Sequence, residues 1–458
     1  MTRGLLGAAV CLTMTCQAVA WPVPFGAVTG NRTARGAGTF PRWQALALMT
    51  DSPITWLVAL PGRRLAAVDR EGALLVFELT PSGLRTAVRY GGVASPAGPP
   101  AAVQLDQDQS GVALVAPDGR LLVWSDGTLR GYDVGGPLST LTCPTPVSFE
   151  GRAAQDLLAV TQDGAVVLIS GLAAGGPRAV ARLEVGALRD ARIAVADLDG
   201  DGAIEAVVLS GAVEGLPGSP SGAGPEAGTV TVVRLRPYGL EQRARFALPP
   251  PGAFEDSVPV LAPIPGSARP MVVLARSTAG KGVVPVVLAL RNGGLTLLAE
   301  GVTAGQGRPQ AARSETLQRR LEVVGTADLS GDGVPEVVAV AAAERDGVLM
   351  AYRRAAGALI PRASAAGYAG PAAGSRTPAQ IVIADLDGDG RPEVVLARHS
   401  TEVLSALELR HDRFVERWAV DFKASLTSNL VAADLDGDGL LDLAVATRRG
   451  LHVFLSVR

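Results

Sequence analysis

Apolar residues along this chain fall into short runs of strand length, separated by turns rich in glycine and acidic residues. The clearest pattern occurs four times: an apolar run, an acidic turn and a second apolar run. These segments are VADLDGDGAIEAVVL from Val195, TADLSGDGVPEVVAV from Thr326, IADLDGDGRPEVVLA from Ile383 and AADLDGDGLLDLAVA from Ala432. Short apolar runs bounded by turn residues are typical of β-strands. Each segment therefore predicts two strands joined by an acidic turn.

The same apolar frame recurs in three further segments that have lost the acids, beginning at Val103, Val147 and Ala262. An eighth, worn unit begins near Trp56, where WLVALPGRRLAAVDREG matches the second strand and the following turn. The first turn positions of the other seven units lie 44 to 66 residues apart and are Gln104, Ser148, Asp197, Pro263, Asp328, Asp385 and Asp434. A period of this length indicates a repeat architecture.

Two more strands follow the turn in most units. The third is aliphatic, as in LLVF from Leu74, and the fourth is more polar, as in LRTAVRY from Leu84. Four antiparallel strands in about 50 residues are typical of one propeller blade. The sequence thus predicts an all-β fold, a single β-propeller of four-stranded antiparallel blades, with eight blades by repeat count.

The last unit lacks a fourth strand before Arg458. FPRWQALAL from Phe40 resembles the fourth strand FVERWAVDF from Phe414, so the N-terminal strand is predicted to complete the last blade and close the ring. Closure removes exposed sheet edges, which otherwise template aggregation. The propeller is therefore predicted over residues 40–458.

The first twenty residues have the pattern of a secretory signal peptide. Arg3 precedes an apolar stretch, and Ala18-Val19-Ala20 forms a small-residue cleavage site. The apolar stretch is shorter than the ~18 residues that a membrane span requires. We expect residues 1–20 to be removed, residues 21–39 to form an N-terminal extension, and the mature chain to be periplasmic, cell-surface or secreted, without a transmembrane segment.

Charge and cysteine content limit the possible partners and crosslinks of the protein. The sequence has 42 Lys and Arg residues against 44 Asp and Glu residues, and this near-neutral balance argues against a nucleic-acid partner. Of its three cysteines, two lie in the predicted signal peptide, so Cys143 has no partner for an intramolecular disulfide. A lone cysteine of an exported chain can be a reactive thiol or a dimer crosslink. Burial as a small apolar side chain is the expectation we favour.

The four acidic turns carry oxygen-bearing side chains at turn positions 1, 3, 5 and 9. These are Asp197, Asp199, Asp201 and Glu205; Asp328, Ser330, Asp332 and Glu336; Asp385, Asp387, Asp389 and Glu393; and Asp434, Asp436, Asp438 and Asp442. So many carboxylates in one turn repel each other unless a cation binds them. Calcium takes six to eight oxygen ligands, whereas magnesium prefers a tight octahedron and keeps its waters.

The prediction is therefore up to four calcium ions. Backbone carbonyls at position 7 are expected to add ligands, at Ala203, Val334, Arg391 and Leu440. An EF-hand is excluded because position 12 is apolar in all four turns, where that motif requires glutamate. The Asp328 turn is expected to bind most weakly because Ser330 replaces an acid, and the Gln104, Ser148 and Pro263 turns are expected not to bind.

The motif DxDGDGxxE between two strands resembles the FG-GAP/VCBS repeat family, which includes the propeller of integrin α-chains. This resemblance implies most often seven blades, the alternative to the eight counted from the repeats. It also implies that calcium loops join the first and second strands of a blade on one face of the disc, and that ligands bind through loops on the opposite face.

The three longest insertions are expected on that opposite face: Ser210–Gly228, Val302–Arg320 and Ala355–Pro378. They carry function or are drifting linkers. The second insertion is basic through Arg308, Arg313, Arg319 and Arg320, which would suit an acidic glycan, although scattered surface arginines are the commoner explanation.

Catalytic motifs are not evident in the sequence. The three histidines, His399, His411 and His452, are dispersed, and there is no zinc-ligand cluster or GxSxG motif. We expect a binding or adhesion module for a protein or glycan ligand rather than an enzyme. The alternatives are a structural or assembly component of the cell envelope and, third, a lyase or hydrolase acting on polysaccharide or lipid.

Overall fold

The computed structural model describes residues 43–173, 176–213, 225–263, 269–278, 282–302, 321–341, 347–369 and 380–457. These residues form 33 β-strands. The predicted signal peptide and N-terminal extension lie outside the described residues. Within the described ranges, no helix has the length and apolar character needed to cross a membrane.

Strand β1 (Trp43–Leu48) is followed by three sheets, each of four antiparallel strands paired in chain order. The first sheet contains β2 (Ile54–Leu60), β3 (Arg64–Asp69), β4 (Leu74–Thr80) and β5 (Gly83–Tyr90). The second contains β6 (Ala101–Gln104), β7 (Ser110–Val115), β8 (Leu121–Ser125) and β9 (Thr128–Tyr132). The third contains β10 (Thr145–Val147), β11 (Asp156–Val160), β12 (Ala165–Ser170) and β13 (Arg178–Glu184).

The middle of the chain has three more four-stranded sets. The first contains β14 (Ala194–Ala196), β15 (Glu205–Val213), β16 (Glu226–Arg236) and β17 (Gly239–Ala247). After the short strand β18 (Gly252–Phe254), the second contains β19 (Val260–Pro263), β20 (Pro270–Thr278), β21 (Gly282–Arg291) and β22 (Gly294–Gly301). The third contains β23 (Leu321–Ala327), β24 (Glu336–Ala341), β25 (Gly347–Ala355) and β26 (Ala358–Tyr368). Strand β18, which pairs with β16 and β20, and a short parallel pairing of β22 with β26 join these sets into one network.

The last part of the chain begins with another four-stranded sheet, which contains β27 (Ile381–Ala384), β28 (Glu393–Ala397), β29 (Val403–Arg410) and β30 (Arg413–Asp421). The final three strands are β31 (Val431–Ala433), β32 (Asp442–Thr447) and β33 (Gly450–Ser456). Strand β1 adds to β33 as the fourth strand of this sheet, with Trp43 opposite Ser456 and Leu48 opposite Leu451. This is the pairing that the repeat pattern predicted for the N-terminal segment.

Burial is unequal across the four strands of a set. Every residue of the second strand β7 is buried, whereas most residues of the fourth strand β5 are exposed or half-buried. The second and third strands are covered on both faces by neighbouring sheets. The side chains that point to either face must therefore be apolar. This explains the near-continuous apolar runs of the second and third strands. A sheet with one solvent-exposed face would show alternating apolar and polar residues instead.

Aromatic side chains pack β1 against two sheets. The ring of Trp43 lies edge-on to Trp418 of β30, with centroids 4.9 Å apart, and against Phe454 of β33 at 4.4 Å. Trp418 and Phe454 are both almost fully buried. Edge-to-face aromatic pairs contribute about 0.5–1.5 kcal/mol beyond their buried area. Trp43 therefore anchors the N-terminal strand in a core formed by residues almost 400 positions later in the sequence.

One expectation about chain segments needs correction. Residues Ala358–Tyr368 of the predicted insertion Ala355–Pro378 form strand β26, so the connection there begins only after Tyr368. The degenerate unit near Trp56 forms a complete four-stranded sheet, β2 to β5. Residues 214–224, 303–320 and 370–379 lie outside the described residues; they include most of the first two insertions, part of the third and the four arginines of the second.

Cys143 is a free and buried thiol, as expected from the sequence. Burial raises its pKa to about 11, although the positive charge of Arg192 acts in the opposite direction. A thiol with so high a pKa is protonated at neutral pH and reacts poorly, because the thiolate is the nucleophile. The structure therefore favours a packing role for Cys143 over a reactive or crosslinking one.

A pH prediction follows from His452 on β33. Its ring is largely buried, accepts or donates a hydrogen bond with Thr447 Oγ1 at 3.0 Å, and packs 5.6 Å from Phe422. Burial, reinforced by the charge of Arg449, lowers the pKa of His452 from 6.5 to about 4. Between these values the unfolded chain binds more protons, so the free energy of unfolding falls as the pH drops from 6.5 through 4. We expect a loss on the order of 3 kcal/mol.

The measurement is urea unfolding of wild type, His452→Gln and His411→Gln between pH 4 and pH 7. His411 lies in an exposed turn and serves as the control. The glutamine at position 452 should reduce the acid-induced loss, and the glutamine at position 411 should leave it unchanged. Equal pH dependence in all three proteins would contradict the role assigned to His452.

Candidate metal centres

The four acidic turns each join the first and second strands of a sheet. We name them loop A (197–205), between β14 and β15; loop B (328–336), between β23 and β24; loop C (385–393), between β27 and β28; and loop D (434–442), between β31 and β32. In a four-stranded antiparallel set, the first-to-second and third-to-fourth connections leave from the same end of the strands. The second-to-third connection and the link to the next sheet lie at the opposite end.

Each loop is curled around the aspartate at position 1. In loop C, Asp385 accepts hydrogen bonds from the backbone N–H groups of Gly388 at 2.8 Å and Gly390 at 2.9 Å. Both glycines have positive φ, +74° and +84°, a conformation that costs other residues free energy. The corresponding aspartates Asp197, Asp328 and Asp434 accept the same pair of bonds. The glycines thus let the backbone fold over one carboxylate.

The acid at position 9 begins the second strand and is buried in all four loops. One of its carboxylate oxygens accepts a hydrogen bond from the backbone N–H of the leucine at position 2. The pairs are Leu198 to Glu205, Leu329 to Glu336 and Leu386 to Glu393, each 3.0 Å, and Leu435 to Asp442, 2.7 Å. Each leucine side chain is also buried. The leucine therefore ties the loop to the core, a role that the sequence pattern did not suggest.

Carboxylate oxygens from positions 1, 3 and 9 converge within 4.8 Å of one another in three of the loops. The groups are Asp197, Asp199 and Glu205; Asp385, Asp387 and Glu393; and Asp434, Asp436 and Asp442. In loop B, Ser330 at position 3 leaves only two acids for such a group, in line with the weakness expected of that loop. These groups provide the hard oxygen donors that calcium prefers.

The position-5 aspartates, also predicted as ligands, are not members of these groups. Each instead accepts a hydrogen bond from the backbone N–H of position 7, at 2.8–3.0 Å. The donors are Ala203 to Asp201, Val334 to Asp332, Arg391 to Asp389 and Leu440 to Asp438. Ligation by the position-5 side chains and by the position-7 carbonyls stays a prediction.

Electrostatics distinguish loop C from the others. Burial raises the pKa of Glu393 to about 8, and the charges of Asp387, Asp385 and Asp389 add to the effect. Its Oε1 atom is buried and has no hydrogen-bond partner among the described residues. In loop D, burial and the charge of Asp436 raise the pKa of Asp442 to about 6, although Asp442 accepts a 2.7 Å hydrogen bond from Ser456 N–H. A divalent cation would stabilise the ionised forms of both buried carboxyl groups, so the donor set of loop C fits calcium.

Arginines reach the acids of loops A and B, a feature that the sequence pattern missed. Arg234 Nε lies 3.1 Å from Glu205 Oε1, and Arg362 pairs with Glu336. Burial raises the pKa of both glutamates, while the guanidinium groups oppose that shift. No fixed sequence spacing connects the arginines to the loops, since the connection between β15 and β16 is long. Strand register is needed to find them.

The degenerate turns have other contacts. The side chain of Gln155 accepts a hydrogen bond from Gln104 N at 2.8 Å and donates one to Ser148 Oγ at 3.2 Å, so it links the two turns. The turn after Pro263 lies largely outside the described residues. Among the described residues, none of these three turns contributes to the converging acid groups. Their failure to bind calcium stays a prediction.

A cavity of about 840 Å³ lies at the end of the strands opposite the acidic loops. Its walls come from second-to-third turns, such as Gly164, and from links between sheets, such as Leu141, Leu188 and Thr427. Arg192 and Trp56 both line it, and the guanidinium carbon of Arg192 stands 5.3 Å from the ring centroid of Trp56. Because these residues come from separate repeats, the sequence alone did not bring them together.

Comparison with known proteins supports the repeat assignment. A family model described as FG-GAP-like repeat matches residues 328–396 and 385–445. Loops B, C and D lie within the matched residues, whereas loop A precedes them.

Solved structures show the same architecture. Sqt1 of Saccharomyces cerevisiae, at 10% sequence identity, matches 90% of this chain and 98% of its own with a TM-score of 0.55. The Dos1 propeller, at 11% identity, matches 90% of this chain and 94% of its own with a TM-score of 0.52. Both neighbours are β-propellers. At this identity the similarity concerns the fold alone, and it supports a β-propeller of several four-stranded sheets.

A matched pair of substitutions tests the electrostatics of the loops in chelator at pH 9. Glu393→Gln removes a charge that the fold opposes, because the raised pKa means that ionisation of Glu393 destabilises the native state. We expect the free energy of unfolding to rise by up to about 5 kcal/mol. Arg234 opposes the same shift at Glu205, so Glu205→Gln should raise the free energy of unfolding by less than Glu393→Gln does. Destabilisation by Glu393→Gln in chelator would contradict this account.

Proposed function

We propose that this chain is an exported, calcium-binding β-propeller that acts as a binding module for a protein or glycan ligand. The observation that carries the proposal is the cavity on the side of the strands opposite loops A to D. Large cavities lined by apolar, aromatic and a few charged groups are the usual form of ligand sites. Here Trp56 and Arg192 line the cavity, and Arg189 and Asp163 add polar groups.

The proposal includes a closed ring of eight blades. The described strands give eight four-stranded sets when β1 is counted with β31 to β33. Asn429, which precedes β31, exchanges two hydrogen bonds with the backbone of Leu57 in β2, at 2.5 and 2.9 Å. Leu65 and Phe77 of the first sheet also share one apolar cluster with Val453 of the last. These contacts support closure by eight blades over the seven-bladed alternative.

Removal of the closing strand tests the ring. A mature chain without residues 40–49 would leave β33 unpaired and Trp418 without its aromatic partner, so we expect loss of cooperative thermal unfolding. A chain without residues 21–39 keeps β1 and is the control. Circular dichroism and calorimetry provide the measurement. An unchanged melting curve for the 40–49 deletion would contradict the closure hypothesis.

Calcium has a structural role in this proposal. Within the described part of the chain, three converging carboxylate groups and a Glu393 Oε1 without a hydrogen-bond partner support a hard cation in the acidic loops. Dissociation constants of 10⁻⁴ to 10⁻³ M suffice for extracellular modules. Export fits such affinities, because calcium is plentiful outside the cytoplasm. Bound ions would hold the ends of the inner strands at fixed angles and leave the opposite face for ligand contacts.

Ligand screening tests the binding function. The mature protein is applied to glycan arrays and to candidate envelope proteins, in calcium and in chelator. A Leu141→Ser, Arg189→Ser double variant changes the rim of the cavity, and Tyr238→Ser, an exposed residue at the acidic-loop end, is the control. We expect the double variant to weaken binding by about tenfold, as for contact residues of typical interfaces, and the control to bind as wild type.

Other outcomes of the screen favour the alternatives. Absence of binding to every probe in calcium would favour a structural or assembly role in the cell envelope. Depolymerisation of a polysaccharide probe or hydrolysis of a phospholipid, lost in the double variant, would favour an enzyme. Equal binding by the double variant and wild type would move the ligand site away from the cavity.

A further inference from the structure

Loops A and C provide a comparison within one molecule. Both carry aspartates at positions 1, 3 and 5 and glutamate at position 9. In both, the acids at positions 1, 3 and 9 converge, and the backbone hydrogen bonds within the loop are the same. Differences in how the two loops are neutralised therefore come from the strands beside them.

In loop A, an arginine lies among the acids. Register between β15 and β16 places Arg234 directly opposite Glu205. Its Nε lies 3.1 Å from Glu205 Oε1, and its Nη2 lies 3.7 Å from Asp199 Oδ1 and also pairs with Asp201. Arg243 of β17 adds a contact of 3.6 Å to Asp199. One guanidinium thus contacts positions 3, 5 and 9 together.

Loop B is neutralised in a similar way. When the register between β24 and β25 is continued by one residue, Arg353 stands opposite Glu336. Arg353 Nη1 lies 2.7 Å from Asp332 Oδ2, and Arg362 of β26 pairs with Glu336 itself. The acids at positions 5 and 9 therefore each have a guanidinium partner.

Loop C has the opposite arrangement. The register between β28 and β29, continued by one residue, places Glu408 opposite Glu393. The buried Glu408 forms ion pairs with Arg417 and Arg410, with N–O distances of 3.1 and 2.7 Å. Arg417 also approaches Asp387 at 3.4 Å, but no arginine pairs with Glu393, whose Oε1 is buried without a partner among the described residues. An additional acid thus stands where loop A has a cation.

We propose that the charged side chains contributed by the third and fourth strands set the calcium affinities of loops A, B and C. Arg234 in loop A, and Arg353 with Arg362 in loop B, act as built-in cations, so calcium binds weakly there. Loop C, with Glu408 opposite Glu393, requires the ion and binds it tightly. The inference rests on the proposed calcium binding but adds that equal acid motifs bind unequally. The physical reason is that a guanidinium between the carboxylates both occupies their lone pairs and repels a divalent cation.

Calcium titration of the full mature chain, by calorimetry and equilibrium dialysis, tests this rule. Arg234→Met removes the guanidinium and keeps an apolar stem, so we expect one additional tightly bound ion per chain. Arg236→Met is the matched control, because Arg236 lies on the same strand and pairs with Glu241. Its calcium stoichiometry should equal that of wild type.

Ligand substitutions assign the ions to loops. Asp387→Asn should remove one tight ion from the wild type, whereas Asp199→Asn should remove none. In the Arg234→Met background, Asp199→Asn should remove the ion that was gained. Loss of a tight ion from wild type on Asp199→Asn, equal to the loss on Asp387→Asn, would overturn the proposal.

The reverse exchange provides an independent arm. Glu408→Arg places an arginine opposite Glu393 and should weaken calcium binding at loop C by about tenfold or more. Far-UV circular dichroism identifies a misfolded variant, in which case the Arg234→Met result decides. One tight ion bound by Arg234→Met in addition to those of wild type supports the arginine rule, and absence of binding from both proteins overturns the rule and the calcium proposal together. Equal tight binding at loops A and C overturns the rule alone.

Discussion

Each sheet of this protein has two apolar faces, and this constraint shapes the rest of the molecule. The second and third strands are buried on both sides, so a sheet is stable only between two neighbours. Apolar clusters accordingly combine residues from adjacent sheets, and the first and last sheets share a cluster as well. A linear row of such sheets would expose one apolar face at each end, a cost on the order of 25 cal/mol for each Å² of apolar surface. In the proposed closed ring, the contacts between Leu57 and Asn429 join the first and last sheets and would avoid that cost.

A second constraint is the buried acid at the start of four second strands. Burial of a carboxylate without compensation is costly, so each one must be protonated, paired or bound to a cation. The protein combines these solutions. A backbone N–H group donates a hydrogen bond to the position-9 acid in all four loops, and arginines pair with that acid in loops A and B. In loop C, Glu393 retains an oxygen without a hydrogen-bond partner among the described residues. Similar sequence motifs thus hold different electrostatic states, because the neighbouring strands contribute as much as the motif does.

The sequence was informative wherever the determinant was local. The apolar frame located the third strands and loops A to D, since the position of an acidic turn between two apolar runs depends on adjacent residues only. Strand β26 was mistaken for part of an insertion because ALIPRASAAGY is rich in small residues and only partly buried. Arg234, Arg362 and the Trp56–Arg192 contact were not foreseen, because they depend on strand register or on repeats far apart in sequence.

The pairing of Trp43 with Ser456 fixes the position of Trp43 along the strands. Ser456 N–H donates a hydrogen bond to Asp442 of loop D, so Trp43 and Ser456 lie at the end of the strands that carries the acidic loops. The Trp56–Arg192 cavity lies at the other end. A surface or partner attached beside Trp43 would therefore approach the protein from the side of the acidic loops and leave the cavity sterically accessible.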